Sequence, residues 1–249
     1  PDGRWLAFDS NRDGSQHIFR MPLGGGPVQR LTEGTWDDFL PRFSPDGRRI
    51  GFHSYRFGER KLFSVAPDGG AVEQISDWPG HHLQMDWARN SDAIVYERRL
   101  NGSNSVRLLR QREGHWIDSV QLAEVSRSPA AAYPRVSPDG RFVSFLDNGA
   151  VSAVLMADGS IRRVFARPDA SATLAAWAPR GQSLYVVAID SVTSALWVAP
   201  LTGAPRQLFR FEDPSRQPTR YGLVAREDAV YLTMGERRAD IAVVALEPE

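Results

Sequence analysis

The amino-acid sequence predicts an all-β fold, a six-bladed β-propeller built from four-stranded antiparallel blades. Three observations predict it. A Pro-Asp-Gly turn recurs with a period close to 45 residues, short alternating runs of apolar and polar residues follow each turn, and glycine-bearing turns separate the runs. Repeats of about 40–45 residues holding four short strands are the signature of propeller blades, which bury their faces by stacking on one another. No stretch carries a sustained 3.6-residue apolar period, so helices are expected to be scarce.

Each element follows from the repeat. Aligned on the residue that closes the turn, the copies end at Gly3, Gly47, Ser91, Gly140, Gly181 and Glu227, with spacings of 44, 44, 49, 41 and 46. An apolar or aromatic residue precedes the turn: Phe43, Trp87, Val136, Trp177 and Val224. A first alternating run comes after it: WLAFDS (5–10), RIGFHS (49–54), AIVYER (93–98), FVSFLD (142–147), SLYVVA (183–188) and AVYLTM (229–234). Alternation rich in β-branched and aromatic residues reads as strand. A polar loop such as NRDGSQ (11–16) or YRFGER (55–60) leads to a second run: HIFRMP (17–22), KLFSVA (61–66), VRLLRQ (106–111), VSAVLM (151–156), ALWVAP (195–200) and DIAVVA (240–245). Turns such as LGGG (23–26), PDGG (67–70), ADGS (157–160) and LTGA (201–204) lead to a short last strand, VQRLT, VEQIS, IRRVF or PRQLF. Asp-Gly and Gly-Gly pairs supply the positive φ that tight hairpins need.

These copies divide a single domain, 1–249, into blades of approximately 1–33, 34–77, 78–126, 127–168, 169–211 and 212–249. The first copy lacks its innermost strand and the last its outermost, so residues ahead of Pro1 in a parent protein are expected to supply both. Within the turns, Asp46 and Asp139 are expected to cap their own backbone rather than to bind a ligand.

Composition narrows the function. The 249 residues hold 30 Lys+Arg and 30 Asp+Glu, so the net formal charge is zero and a nucleic-acid surface is not expected, despite the arginine-rich tracts at 97–112 and 235–238. There is no cysteine, which excludes disulfides and thiolate metal sites. No apolar run approaches the roughly 18 residues of a membrane span.

PRFSPDGRRIGF (41–52) and PRVSPDGRFVSF (134–145) resemble the TolB-like β-propeller repeat, a WD-repeat-like unit whose core reads roughly P-x-F/W-S-P-D-G-x-x-I-A-F. Segments 50–70, 211–223 and 231–249 are further similar to the C-terminal propellers of bacterial serine/threonine kinases and winged-helix regulators. That resemblance implies a non-catalytic sensor or protein-docking module with no cofactor, extracytoplasmic or periplasmic by analogy, with no membrane contact of its own. Related repeats also accompany hydrolase and peptidase domains, an alternative role. The nearest stretch to a nucleophile elbow, GQSLY (181–185), lacks the closing glycine.

The loops that enter the innermost strands gather at one mouth of a propeller channel and are the expected binding site for a protein or peptide. They are 34–42, 79–86, 130–135, 169–175 and 212–221. The candidate contacts are Trp36, Asp37, Asp38, Arg42, His81, His82, Asp86, Tyr133, Arg135 and Arg220, with Gln84, Arg216 and Tyr221 nearby. Aromatic residues and arginines are the types that dominate protein interfaces. Two other motifs read as structure. Asp9-x-Asn11-x-Asp13-Gly14 matches the start of a calcium loop, but position 20 is Arg20 rather than glutamate, so a plain hairpin is expected. His81 and His82 are adjacent, point to opposite faces of a strand and are expected as a surface or channel-mouth pair rather than a chelate. Trp87 and Trp177 are expected to pack in the core, and Trp5 and Trp197 to be buried as well.

Overall fold

The turn that names the repeat also sets its geometry. In the computed structural model, which describes residues 2–126, 132–213, 215–227, 229–235 and 240–245, Gly47, Gly140 and Gly181 adopt φ of 71°, 73° and 69°. Ser91 takes the same left-handed conformation at 63°. Asp46 accepts hydrogen bonds from Ser44 Oγ and the Arg48 amide, and Asp139 accepts them from Ser137 Oγ and the Arg141 amide. Partial burial opposes ionisation of both carboxyls. The hydrogen bonds and the neighbouring arginine charges outweigh it and hold both below the usual range. The turns are therefore self-capped. A Cβ in the left-handed region is strained by about 1–2 kcal/mol, so Gly140→Ala should lower thermal stability by that amount. Ser91→Gly removes the strain but also loses the bond that Ser91 Oγ accepts from the Asp46 amide. A melt of that variant should lie close to wild type.

Twenty-two strands follow in six antiparallel sheets, and no helix occurs among the described residues, so none is long and apolar enough to cross a membrane. Blade 1 holds β1 (Trp5–Asp13), β2 (Ser15–Pro22) and β3 (Gln29–Arg30). Blade 2 holds β4 (Asp38–Phe43), β5 (Ile50–Phe57), β6 (Glu59–Val65) and β7 (Glu73–Gln74), and blade 3 holds β8 (His81–Trp87), β9 (Ala93–Leu100), β10 (Ser103–Arg112) and β11 (His115–Val125). Blade 4 comprises β12 (Ala132–Val136), β13 (Phe142–Asp147), β14 (Ala150–Leu155) and β15 (Ile161–Phe165). Blade 5 comprises β16 (Ser171–Trp177), β17 (Ser183–Ile189), β18 (Ser194–Pro200) and β19 (Arg206–Phe211). Blade 6 comprises β20 (Gln217–Ala225), β21 (Ala229–Gly235) and β22 (Asp240–Ala245). Each blade is a meander with sequential strands paired, the first and last having three described strands. This is the expected six-bladed propeller. The chain groups into two units, residues 1–124 and 125–249.

Within each unit the core lies between sheets. In the first, Ile18 and Leu31 meet Ile50, Phe52 and Phe63, and Leu62 and Ile75 meet Met85, Trp87, Ile94 and Tyr96. In the second, Leu146 and Val151 meet Trp177, Leu184 and Val186, and Val187 and Leu196 meet Leu223, Val230 and Leu232. In blade 2, which has a neighbouring blade of the same unit on each face, the first five residues of β5 are buried at every position instead of alternating: Ile50 and Phe52 pack with Ile18, and Gly51 faces Met85 and Trp87.

Several details differ from the sequence reading. The fourth strand of blade 3, β11, has no matching phrase in the repeat and, at 11 residues, is the longest strand among the described residues. Two hairpins turn on Asn-Gly pairs, Asn101-Gly102 and Asn148-Gly149, each with both φ values positive. Trp5 is 37% exposed at the first position of β1, with the Arg20 guanidinium lying 4.2 Å over its ring. Trp197 is half-buried, between the Phe165 ring and Arg167.

Candidate functional site

The first strand of each of blades 2 to 6 is broken by a register shift, between Phe39 and Arg42, His82 and Met85, Ala132 and Arg135, Ala172 and Leu174, and Pro218 and Leu223. A bulge re-aims the side chains beside it. In blades 2 and 4 the residue before proline, Leu40 or Tyr133, is held at positive φ, 53° and 46°. Bulky side chains rarely adopt that conformation, and packing must hold it there.

The expected contact residues are placed as follows. Trp36 is 43% exposed and lies against Gly34, where φ is 110° and an added Cβ would stand 2.4 Å from the indole nitrogen. Asp37 accepts the Gln16 amide of blade 1 at 3.0 Å. Asp38 is fully buried and pairs with Arg56 at 2.8 Å. Arg42 and Asp86 act on each other by charge: burial lowers the proton affinity of Arg42 and the Asp86 charge raises it. His81 is exposed and accepts the Arg60 amide. His82 corrects the expected surface pair: it is fully buried, hydrogen-bonded to Ser76 Oγ at 2.7 Å and packed edge-on to Tyr96, because its strand face points into the contact with blade 2. In the second unit Tyr133 is buried in the core, and the Arg135 carbonyl accepts Trp177 Nε1. The side chains of Arg220 and Tyr221 lie outside the described residues, as do residues 130 and 131.

The calcium-like loop forms the β1–β2 hairpin, with Asp9 accepting the Leu40 amide and the Gln16 side chain, and Asp13 close to Arg30. Among the described residues no three His, Asp or Glu side chains stand close enough to share one ion.

What the structure assembles instead is a cluster at the β5–β6 hairpin end of blade 2. Tyr55 is 38% exposed and Phe57 68% exposed, on either side of Arg56. The Tyr55 amide bonds the Asp37 carbonyl, bringing the Trp36 segment alongside. The Arg60 guanidinium lies 4.6 Å from the Tyr55 ring and 5.6 Å from that of Phe39. Lys61, itself buried, donates to Glu59, to the Gly80 carbonyl and to the Trp78 carbonyl, locking this hairpin onto the loop that enters blade 3. Beneath lie two buried titratable groups. Burial, helped by the Arg60 charge, lowers His53 to about 3. Burial raises Glu97 to about 7, against the opposing charges of Arg99 and Arg60. None of Tyr55, Phe57, Arg60, Lys61, His53 or Glu97 was singled out by sequence reasoning. The available signal was YRFGER itself, a hairpin tip with two aromatics where polar residues are usual.

The six antiparallel sheets, each a meander of sequential strands, define the protein as a β-propeller. The chain belongs to the TolB beta propeller domain family, which matches residues 1–181. TolB from Acinetobacter baumannii superposes with a TM-score of 0.71 at 14% identity, covering 94% of this chain and 61% of its own. A puromycin-hydrolyzing peptidase from Mycobacterium tuberculosis gives 0.71 at 13% identity, covering 97% and 43%. An uncharacterized protein of Agrobacterium fabrum (strain C58) is 42% identical over 45 residues, 18% of this chain and 15% of that protein. The chain thus spans less than two thirds of each of these proteins. At 13–14% identity the structural likeness is one of fold.

Proposed function

We propose that this propeller is a non-catalytic protein- or peptide-binding module, acting outside the cytoplasm as the sensor or docking part of a larger bacterial signalling protein. The observation that carries the reading is the exposed trio Trp36, Tyr55 and Phe57 beside Arg60. Large aromatics are rarely left exposed together without a partner, and with arginine they supply most of the binding energy at protein interfaces. The family and the extracytoplasmic analogy support this setting.

The test is a selection from a displayed random peptide library. Peptides enriched on this chain should bind at least ten-fold more weakly to the W36A/F57A double variant in a fluorescence polarisation titration. Absence of any enriched peptide, or equal binding to the variant, would count against the reading.

A further inference from the structure

We propose that Asn101 is a self-modification site of this chain. Its side-chain amide is lost through ring closure onto Gly102, whereas the identical Asn148-Gly149 pair is held unreactive by the neighbouring blade. The proposal is independent of the peptide-binding reading above.

Asn101 and Asn148 are the asparagines that precede glycine; Asn11, Asn90 and Asn104 precede Arg12, Ser91 and Ser105. Asparagine is a chemically labile residue, and the route is attack by the backbone nitrogen of the next residue on the side-chain carbonyl carbon, Cγ. Glycine has no Cβ to obstruct that approach. The Gly102 amide gives up its proton to base, the N–Cγ bond forms, the Cγ–Nδ2 bond breaks and ammonia leaves, which yields a cyclic imide. Water opens the imide at either carbonyl, to aspartate or to isoaspartate. Water is the one co-reactant required.

The two pairs share their local geometry. Each is a two-residue hairpin loop, β9–β10 or β13–β14, with φ of 50° and 76° at Asn101-Gly102 and of 52° and 77° at Asn148-Gly149. Their surroundings separate them. Asn101, Gly102 and Ser103 are exposed, and neither the Asn101 side chain nor the Gly102 amide makes a hydrogen bond among the described residues. The ladder closes at Leu100 and Ser103, so only the two tip residues have to turn for the nitrogen to reach Cγ. Gly149 is half-buried. Its carbonyl accepts the Ala172 amide of β16 at 2.8 Å, and an added Cβ would stand 2.9 Å from Ser171 Oγ. Bringing the Gly149 nitrogen to Asn148 Cγ would pull on that bond and drive the turn against β16. Conversion at Asn101 adds a carboxylate to the end of blade 3 where Gly80, in the loop that enters the blade, stands against Arg99 and Leu100.

The test holds the chain in mildly alkaline buffer, folded and in parallel unfolded in urea, and samples it over weeks by digestion and mass spectrometry, with fragment spectra separating Asn101 from Asn104. In the folded chain Asn101 should convert to aspartate and isoaspartate at least ten-fold faster than Asn148, and in urea the two rates should come within a few-fold of each other. Gly102→Ala should slow conversion at Asn101 at least ten-fold and leave Asn148 unchanged. Equal rates at the two sites in the folded chain, or a faster Asn148, would overturn the proposal. So would the same ratio of rates folded and unfolded, because β16 would then not be what separates the sites. An Asn101 that stays intact in the folded chain while it converts in urea overturns it as well. Should Gly102→Ala not fold, the comparison of folded and unfolded wild type decides by itself.

Discussion

Replacing Trp177 by alanine should lower the melting temperature by roughly 10 °C. The indole is 7% exposed and sits in the core between blades 4 and 5, packed against Phe142. Removing so large a buried side chain costs about 3–5 kcal/mol, and for a chain of this size each kcal/mol moves the melting point by about 2–4 °C. Trp177 also reaches back 42 residues to donate its Nε1–H to the Arg135 carbonyl at 2.9 Å. Trp87 makes the same bond to the Arg42 carbonyl at 3.0 Å, with the Arg49 guanidinium 4.7 Å over its ring. The two arginines occupy the same place in the repeat, so each tryptophan pins the first strand of the preceding blade by the same means. Trp177→Phe keeps much of the packing but leaves that carbonyl without the indole donor, and it should cost less than the alanine variant, about 1–2 kcal/mol. A W177A variant melting within a degree or two of wild type would show that the blades are held by something else.

The second large effect is in the pH profile. His53, lowered from 6.5 to about 3, is unprotonated in the folded state while the unfolded chain binds a proton. Its contribution to stability is therefore complete above pH 6.5 and is lost as the pH falls towards 3. At about 1.4 kcal/mol for each tenfold change in proton affinity, the full loss is about 5 kcal/mol. Glu97, raised from 4.5 to about 7, works in the opposite direction. Stability from its neutral form is complete below pH 4.5 and is lost as the pH rises through 7, about 3 kcal/mol in all. Between pH 4.5 and 6.5 the two slopes oppose each other, which yields a plateau. Melts of Glu97→Gln and wild type across pH 4 to 8 should coincide at the acid end and separate progressively up to pH 7, with the variant the more stable. His53→Gln should gain on wild type only below pH 6. A constant offset for E97Q across the whole range would mean that the carboxyl does not change charge there.

How much of this was legible beforehand depends on how far apart in the chain the interacting groups lie. The Ser-Pro-Asp-Gly turn was legible because its geometry closes within five residues: Asp46 binds Ser44 and Arg48, and Gly47 takes the φ that its neighbours impose. The four-strand meander was legible because sequential strands pair. The β11 strand was missed because HWIDSVQLAEV follows a Glu-Gly turn that none of the other copies uses. His81 and His82 show the limit within one dipeptide. The alternation of a strand placed them on opposite faces, but only the neighbouring blade decided that one face is sealed and the other open.

By itself, then, the sequence determined the period, the strand order, the turn chemistry and the membership of tryptophans 87 and 177 in the core, since each is a matter of backbone preference or of repetition at a fixed spacing. The tertiary structure decided the rest. Both-face burial of the central strands, the raised proton affinity of the buried Glu97 carboxyl, and Arg60 laid against the Phe39 ring all depend on segments that lie about 20 residues or more apart in the chain. Desolvation and charge pairing act through space, and no local pattern encodes which face of a blade its neighbour will cover.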